Sequence, residues 1–139
     1  TTSADRYTTT TPLGNHEPRF DACKLAQAAG ASFVGREVTL QLPALKNLIR
    51  EGIAHAGFSF VEVMSDCTEI YGRKNELGSS PEMVLRQKHD VRPESYGNQV
   101  ERPFRPGPWQ TGILARDERV EYGAAWRSHC AQHGGGVAP

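Results

Sequence analysis

An α/β fold is predicted by three features of the sequence. Two stretches with apolar or small residues at helical spacing alternate with two short apolar runs, at 32–35 and 58–64. Each helical stretch is closed by a glycine, Gly30 and Gly57. The resulting order of helix, strand, helix, strand is the one that gives parallel pairing through right-handed helical crossovers.

The opening residues, TTSADRYTTTTPLGNHEPRF, have no helical or strand period and are punctuated by Pro12, Gly14-Asn15 and Pro18. They read as a long loop whose threonines can offer hydroxyl and backbone donors, and the start resembles the middle of a loop, as expected of a fragment. Asp21 then stands where an N-cap belongs, ahead of ACKLAQAA. Ala22, Leu25, Ala26 and Ala29 are the predicted packing face of this first helix, with Cys23 off the stripe. SFVG at 32–35 reads as a buried strand. Pro43 suits a first helical turn, and Leu45, Leu48, Ile49 and Ile53 recur at helical spacing up to Gly57. Phe58 to Met64 is a nearly continuous apolar run, the pattern of a strand covered on both faces, and it leads into a polar loop holding Cys67.

Beyond that loop, Ser80 is the predicted cap of a short helix from Pro81 through MVLRQKH. Residues 90–110 carry Pro93, Pro103, Pro106 and Pro108 without a period and read as a proline-rich arm. The stretch from Pro93 to Trp109 is expected to be ordered against another polypeptide, because Phe104 and Trp109 suit an interface better than a solvated linker. TGILA, 111–115, is expected as a short edge strand and Tyr122 to His133 as a last helix before a fraying tail. Two domains of unequal order follow, an α/β part over 1–89 and the arm with short terminal elements over 90–139. Two strands cannot close a sheet, so further strands are expected from outside the chain, which should not fold alone.

Composition narrows the function. The 139 residues suit one compact domain at most, and the 9 prolines with a mean hydropathy of −0.55 place the core in the first two thirds. Sixteen basic and sixteen acidic residues cancel, so no overall field selects nucleic acid or an anionic membrane surface. No apolar run approaches the about 18 residues of a bilayer span, and no secretory pattern is visible. Cys23, Cys67 and Cys130 are odd in number, far apart and without a CxxC pair, which points to a reducing compartment and the cytoplasm rather than a disulfide framework.

Cys67 is the one candidate site residue. It falls just past the carboxyl end of a predicted strand, where open parallel sheets bind ligands, so it can be a metal ligand as well as a small buried hydrophobe. His16 reads as a surface histidine. Arg73, Lys74 and Asn75 can meet a phosphate, a neighbouring subunit or the loop itself.

Taken together, TTTTPLGNHEPRFD, the helix ending AAGASFV, the segment GFSFVEVMSDC, then YGRKN and TGILARDERVEY resemble the β subunit of the 2-oxoacid:ferredoxin oxidoreductases, most closely the 2-oxoglutarate branch. The resemblance covers nearly the whole chain in the family's order and spacing. It begins after the family's Gly-Asp-Gly segment, magnesium-binding asparagine and amino-terminal cysteine pair, so the chain resembles the carboxyl-terminal half of that subunit.

The resemblance implies part of a parallel-sheet thiamine-diphosphate-binding fold. It also implies oxidative decarboxylation of a 2-oxoacid with coenzyme A to an acyl-CoA and CO2, with electrons leaving through a 4Fe–4S cluster to ferredoxin. Thiamine diphosphate and Mg2+ would be held mostly by the other half. By the family's pattern Cys67 is one cysteine ligand of the cluster. The family often has proline after this cysteine; here Thr68 follows and Asp66 precedes it. The implied partners are the amino-terminal half of the β subunit, an α subunit, ferredoxin and a dimer of heterodimers. Two other classes stay open on the residues alone, a non-catalytic α/β module docking on a larger partner and a small cysteine/histidine metal-binding protein.

Overall fold

A computed structural model describes residues 2–93 and 109–134. In chain order the elements are α1 (Ala22–Ala28), β1 (Phe33–Val38), α2 (Leu42–Ala54), β2 (Ser59–Met64), α3 (Ser80–Asp90), β3 (Val91–Pro93), β4 (Trp109–Arg116) and α4 (Tyr122–His133), with one π-helical turn at Thr68–Gly72 between β2 and α3. No helix among the described residues is long and apolar enough to cross a membrane.

The sheet runs in the order β2-β1-β4-β3. β1 and β2 pair in parallel across α2, as the alternation predicts, with Phe33 opposite Ser59 and Arg36 opposite Glu62. β4 lies antiparallel on the other side of β1, and β3 pairs in parallel with Trp109–Thr111. Two expectations are thereby corrected. The strands beyond the first two come from this chain's own later residues, and the 111–115 segment is an inner strand rather than an edge. The core correspondingly reaches past the first two thirds, because Thr111 and Ala115 on β4 are buried.

β1 is the central strand, buried at all six positions. Alternation along it sorts the two helices. Phe33 and Gly35 meet α2, while Val34 and Arg36 meet the α1 side, so the helices cover opposite faces. Gly35 has a steric reason: a Cβ there would lie 2.5 Å from Leu48 Cδ1. Phe33, Val34 and Val38, each almost inaccessible, contribute about 1.5–3 kcal/mol apiece by burial.

The face expected for α1 is rotated. Cys23 is buried at 1% exposure and Ala26 packs beside it, whereas Leu25 is 56% exposed. Asp21 is the N-cap as predicted, and its tether to β1 turns Cys23 inward. On α2 only Leu45, Leu48 and Gly52 are buried, and Ile53 is 80% exposed. β2 is an edge strand with Val63 44% exposed, not the doubly covered strand its apolar run predicts. The central place went to β1, which tolerates two charged residues there because both are hydrogen-bonded. The cap of α3 is Ser79 rather than Ser80; its N–H and hydroxyl both donate to Glu82 Oε2, at 2.7 and 2.8 Å. Within the expected arm, Asp90 ends α3, Val91–Pro93 are β3, and Trp109 and Gln110 begin β4. The rest of the arm, 94–108, and the tail, 135–139, lie outside the described residues. α4 matches its predicted bounds.

Candidate functional site

The carboxyl ends of β1 and β2, at Val38 and Met64, open onto a cleft of about 750 Å³. Antiparallel β4 begins at this same edge, which brings Trp109 in, and α3 delivers His89 and Asp90. The opening loop forms another wall with Ser3 to Arg6, and Cys67 stands on the rim. The crevice is where an α/β sheet is expected to leave its open edge.

The floor is built on a buried charge. Arg36, 2% exposed, donates from Nε to Glu62 Oε2 and from Nη2 to Asp21 Oδ1. Parallel register sets the first contact, since Arg36 and Glu62 are direct partners on adjacent strands. Asp21 sets the second while its Oδ1 also accepts the Cys23 and Lys24 N–H groups at 3.1 and 3.2 Å. Burial alone would lower the Arg36 pKa, but the two carboxylates outweigh it and hold it above the ordinary value. Burial likewise works to raise the Asp21 pKa, and the Arg36 hydrogen bond and charge bring it below the usual carboxylate value.

Trp109 receives two guanidinium groups, Arg19 at 3.5 Å and Arg36 at 4.3 Å from its ring centroid. Such cation–π contacts gain strength as they are desolvated. Desolvation, then the Arg36 charge, depress the pKa of Arg19. Cys23 packs beneath this framework and outside the cleft lining, with Sγ 3.5 Å from Glu62 Oε2 and 3.7 Å from Gly35 O. Burial pushes its thiol up to about 12. It is therefore a protonated packing group at neutral pH.

The rim is built differently. Cys67 is exposed and precedes the π turn, where the sequence suggested only a polar loop. The turn closes by Gly72 N–H donating to the Cys67 carbonyl at 2.8 Å. A Cβ on residue 72 would meet that carbonyl oxygen at 2.7 Å and Met83 Sδ at 2.8 Å, so glycine permits the closure. Asp66 is tied to α3 by Ser80 Oγ at 2.8 Å. Asn75 resolves one of the open sequence questions. Its Oδ1 accepts the Tyr7 N–H and its Nδ2 donates to Tyr7 O and to Tyr71 O, all at 2.8 Å. One side chain thus clasps the opening loop to the segment that carries Cys67.

Arg73 only reaches Glu69 across 3.7 Å of exposed surface, a pair of little energetic weight. His16 is exposed, as expected. The hydroxyl of Thr8 pairs with those of Thr10 and Thr11. Cys130 lies on α4, away from the cleft lining.

Among the described residues no group of three or more His, Cys, Asp or Glu side chains could hold a metal ion. Cys67 has the exposure and cleft position a shared ligand needs, and Cys23 has neither.

Arg36, Glu62 and Arg19 were not singled out from the sequence, and Trp109 was singled out only as an aromatic suited to another polypeptide, whereas here its ring meets Arg19 and Arg36 of the same chain. A usable signal was present in the strands themselves: one basic and one acidic residue interrupt apolar runs at positions that parallel pairing places side by side.

No protein-family model matches the chain. Over 84 residues it is 42% identical to the 2-oxoglutarate synthase subunit KorB of Methanothermobacter thermautotrophicus, covering 60% of this chain and 29% of that subunit. The KorB subunit of Archaeoglobus fulgidus is 46% identical over 67 residues, 48% of this chain and 25% of its own length. The 2-oxoglutarate oxidoreductase subunit KorB of Mycobacterium tuberculosis is 33% identical over 67 residues, 48% of this chain and 18% of that subunit. The matched stretch thus spans less than a third of the length of each of these curated relatives. In fold, the chain superposes with a TM-score of 0.74 on the 2-oxoglutarate:ferredoxin oxidoreductase from Magnetococcus marinus, solved with 2-oxoglutarate, coenzyme A and succinyl-CoA bound. At 21% identity that match covers 99% of this chain and 48% of the other.

Proposed function

We propose that this chain, similar over part of its length to KorB subunits, serves as the carboxyl-terminal half of the β subunit of a 2-oxoacid:ferredoxin oxidoreductase acting on 2-oxoglutarate. The assembly converts the 2-oxoacid and coenzyme A to an acyl-CoA (succinyl-CoA) and CO2 and passes the electrons to ferredoxin. The observation that carries this reading is the 42% identity over 84 residues to a 2-oxoglutarate synthase subunit. The docking-module alternative has no relative in its favour.

When bound, thiamine diphosphate with Mg2+ supplies carbanion stabilisation and a 4Fe–4S cluster supplies one-electron transfer. This chain's residues have narrower tasks. Cys67 offers one thiolate from a rim whose backbone is fixed on both sides, by Gly72 and by the Ser80–Asp66 contact. Arg36, held by Asp21 and Glu62, keeps the two parallel strands and the α1 terminus in one register beneath the cleft. The opening loop, clasped by Asn75, walls the cleft against water. In this reading residues 1–89 belong to the thiamine-diphosphate-binding α/β domain and 90–139 to a carboxyl-terminal arm. The partners are the amino-terminal half of the subunit, an α subunit and ferredoxin, in a cytoplasmic dimer of heterodimers.

Cys67→Ser tests the reading. In the purified assembly it is expected to lower iron and acid-labile sulfide and to abolish ferredoxin-linked turnover while thiamine diphosphate stays bound. Cys23→Ser and Cys130→Ser are expected to retain iron. Because the exchange of sulfur for oxygen is nearly isosteric, a packing role would leave the iron content unchanged, and that result would refute the ligand role.

A further inference from the structure

Away from the cleft, α4 carries a row of rings on its exposed face. Tyr122 and Trp126 stack with centroids 6.4 Å apart, Trp126 and His129 at 5.7 Å, and His129 and His133 at 4.2 Å. The spacing of i to i+4 places the two imidazoles one turn apart on the same face, and both residues are exposed. A second observation concerns their orientation. His133 Nδ1 lies 2.9 Å from the His129 carbonyl oxygen. A carbonyl only accepts, so Nδ1 carries the proton, and the lone pair of the neutral ring sits on Nε2. Metal-binding histidines are held in this way, with the nitrogen that does not bind the metal donating to a carbonyl or carboxylate.

We propose that His129 and His133 form a two-imidazole site for a divalent transition metal that prefers nitrogen donors, of the Zn2+ class, on the exposed face of α4. Two imidazoles bound through nitrogen at about 2.0–2.1 Å, at angles between square and tetrahedral, put their ring centroids roughly 4.5–5 Å apart. The observed rings are stacked, with centroids 4.2 Å and planes 28° apart, so binding requires the side chains to turn until both free nitrogens face one point. The site also sits in the last turns of the helix, whose carboxyl end carries partial negative charge and favours a cation. With two ligands from this chain, the remaining positions on the metal fall to water or to donors of a neighbouring chain. That makes the site an exchangeable one rather than a closed structural centre. It is independent of the cleft and of the function proposed above.

The test is calorimetric titration of Zn2+ into the purified native assembly containing the full chain. Wild type is compared with His129→Asn and His133→Asn, and with His16→Asn as a control for a lone exposed histidine. One site per chain is expected in the wild type and in His16→Asn. Both α4 variants are expected to bind there at least about tenfold more weakly, since even loss of a supporting group around a metal costs that much. Retention of the untagged assembly on immobilised Ni2+ should fall in the same two variants. Isotherms of the α4 variants that match the wild type, or a loss confined to one of the two, would overturn the pair.

Discussion

The floor of the cleft and its rim are held by opposite means. Beneath the cleft, a buried guanidinium is matched by two carboxylates from α1's cap and β2, and a tryptophan ring covers it. At the rim, Cys67 and Asn75 are fixed by one turn closure and three hydrogen bonds that reproduce backbone pairing, all near solvent. Buried charge is unforgiving of misplacement, so it suits a framework that must keep one register. Local chain geometry costs less to satisfy and leaves the thiol accessible, which suits a residue that has to reach a ligand.

The largest break in this contrast should come from Arg36→Met. It leaves Asp21 and Glu62 without their cation and is expected to cost about 3–5 kcal/mol, read as thermal denaturation of the purified assembly. A loss under about 1 kcal/mol would mean that water serves those carboxylates as well as Arg36 does.

Gly72→Ala is expected to cost about 1–3 kcal/mol, as overpacking does, and to act on the rim alone. Amide exchange should quicken over 66–77 and stay slow along β1. Equal acceleration in both places would show that floor and rim are one cooperative unit.

Asn75 gives the finest distinction. Asn75→Ala should cost about 1 kcal/mol and expose the Tyr7 amide to exchange. Asn75→Asp retains the acceptor for that amide while losing both Nδ2 donations, so Tyr7 should stay protected as the loop loosens. Protection lost equally in both variants would remove the clasp as an account of the opening loop.

What the sequence determined by itself was local. Asp21 as a cap, Leu45 and Leu48 as a helix face and the parallel pairing of two strands across α2 follow from periodicity and capping chemistry within a few residues, and α4 keeps its expected bounds. The position of Cys67 after a strand was legible for the same reason. Tertiary structure decided the rest. Which strand would be central could not be read from apolar content, because β2 is the more apolar run while β1, with Arg36 and Glu37, is the buried one. Burying Arg36 depends on Asp21 and Glu62, 15 and 26 residues away, and no local window contains all three. The clasp between Asn75 and Tyr7 spans 68 residues and joins two loops without a period between them. Hydrogen bonds of that range exist only once the sheet has brought the loops to the same edge, which is why the chain's pattern carries no trace of them.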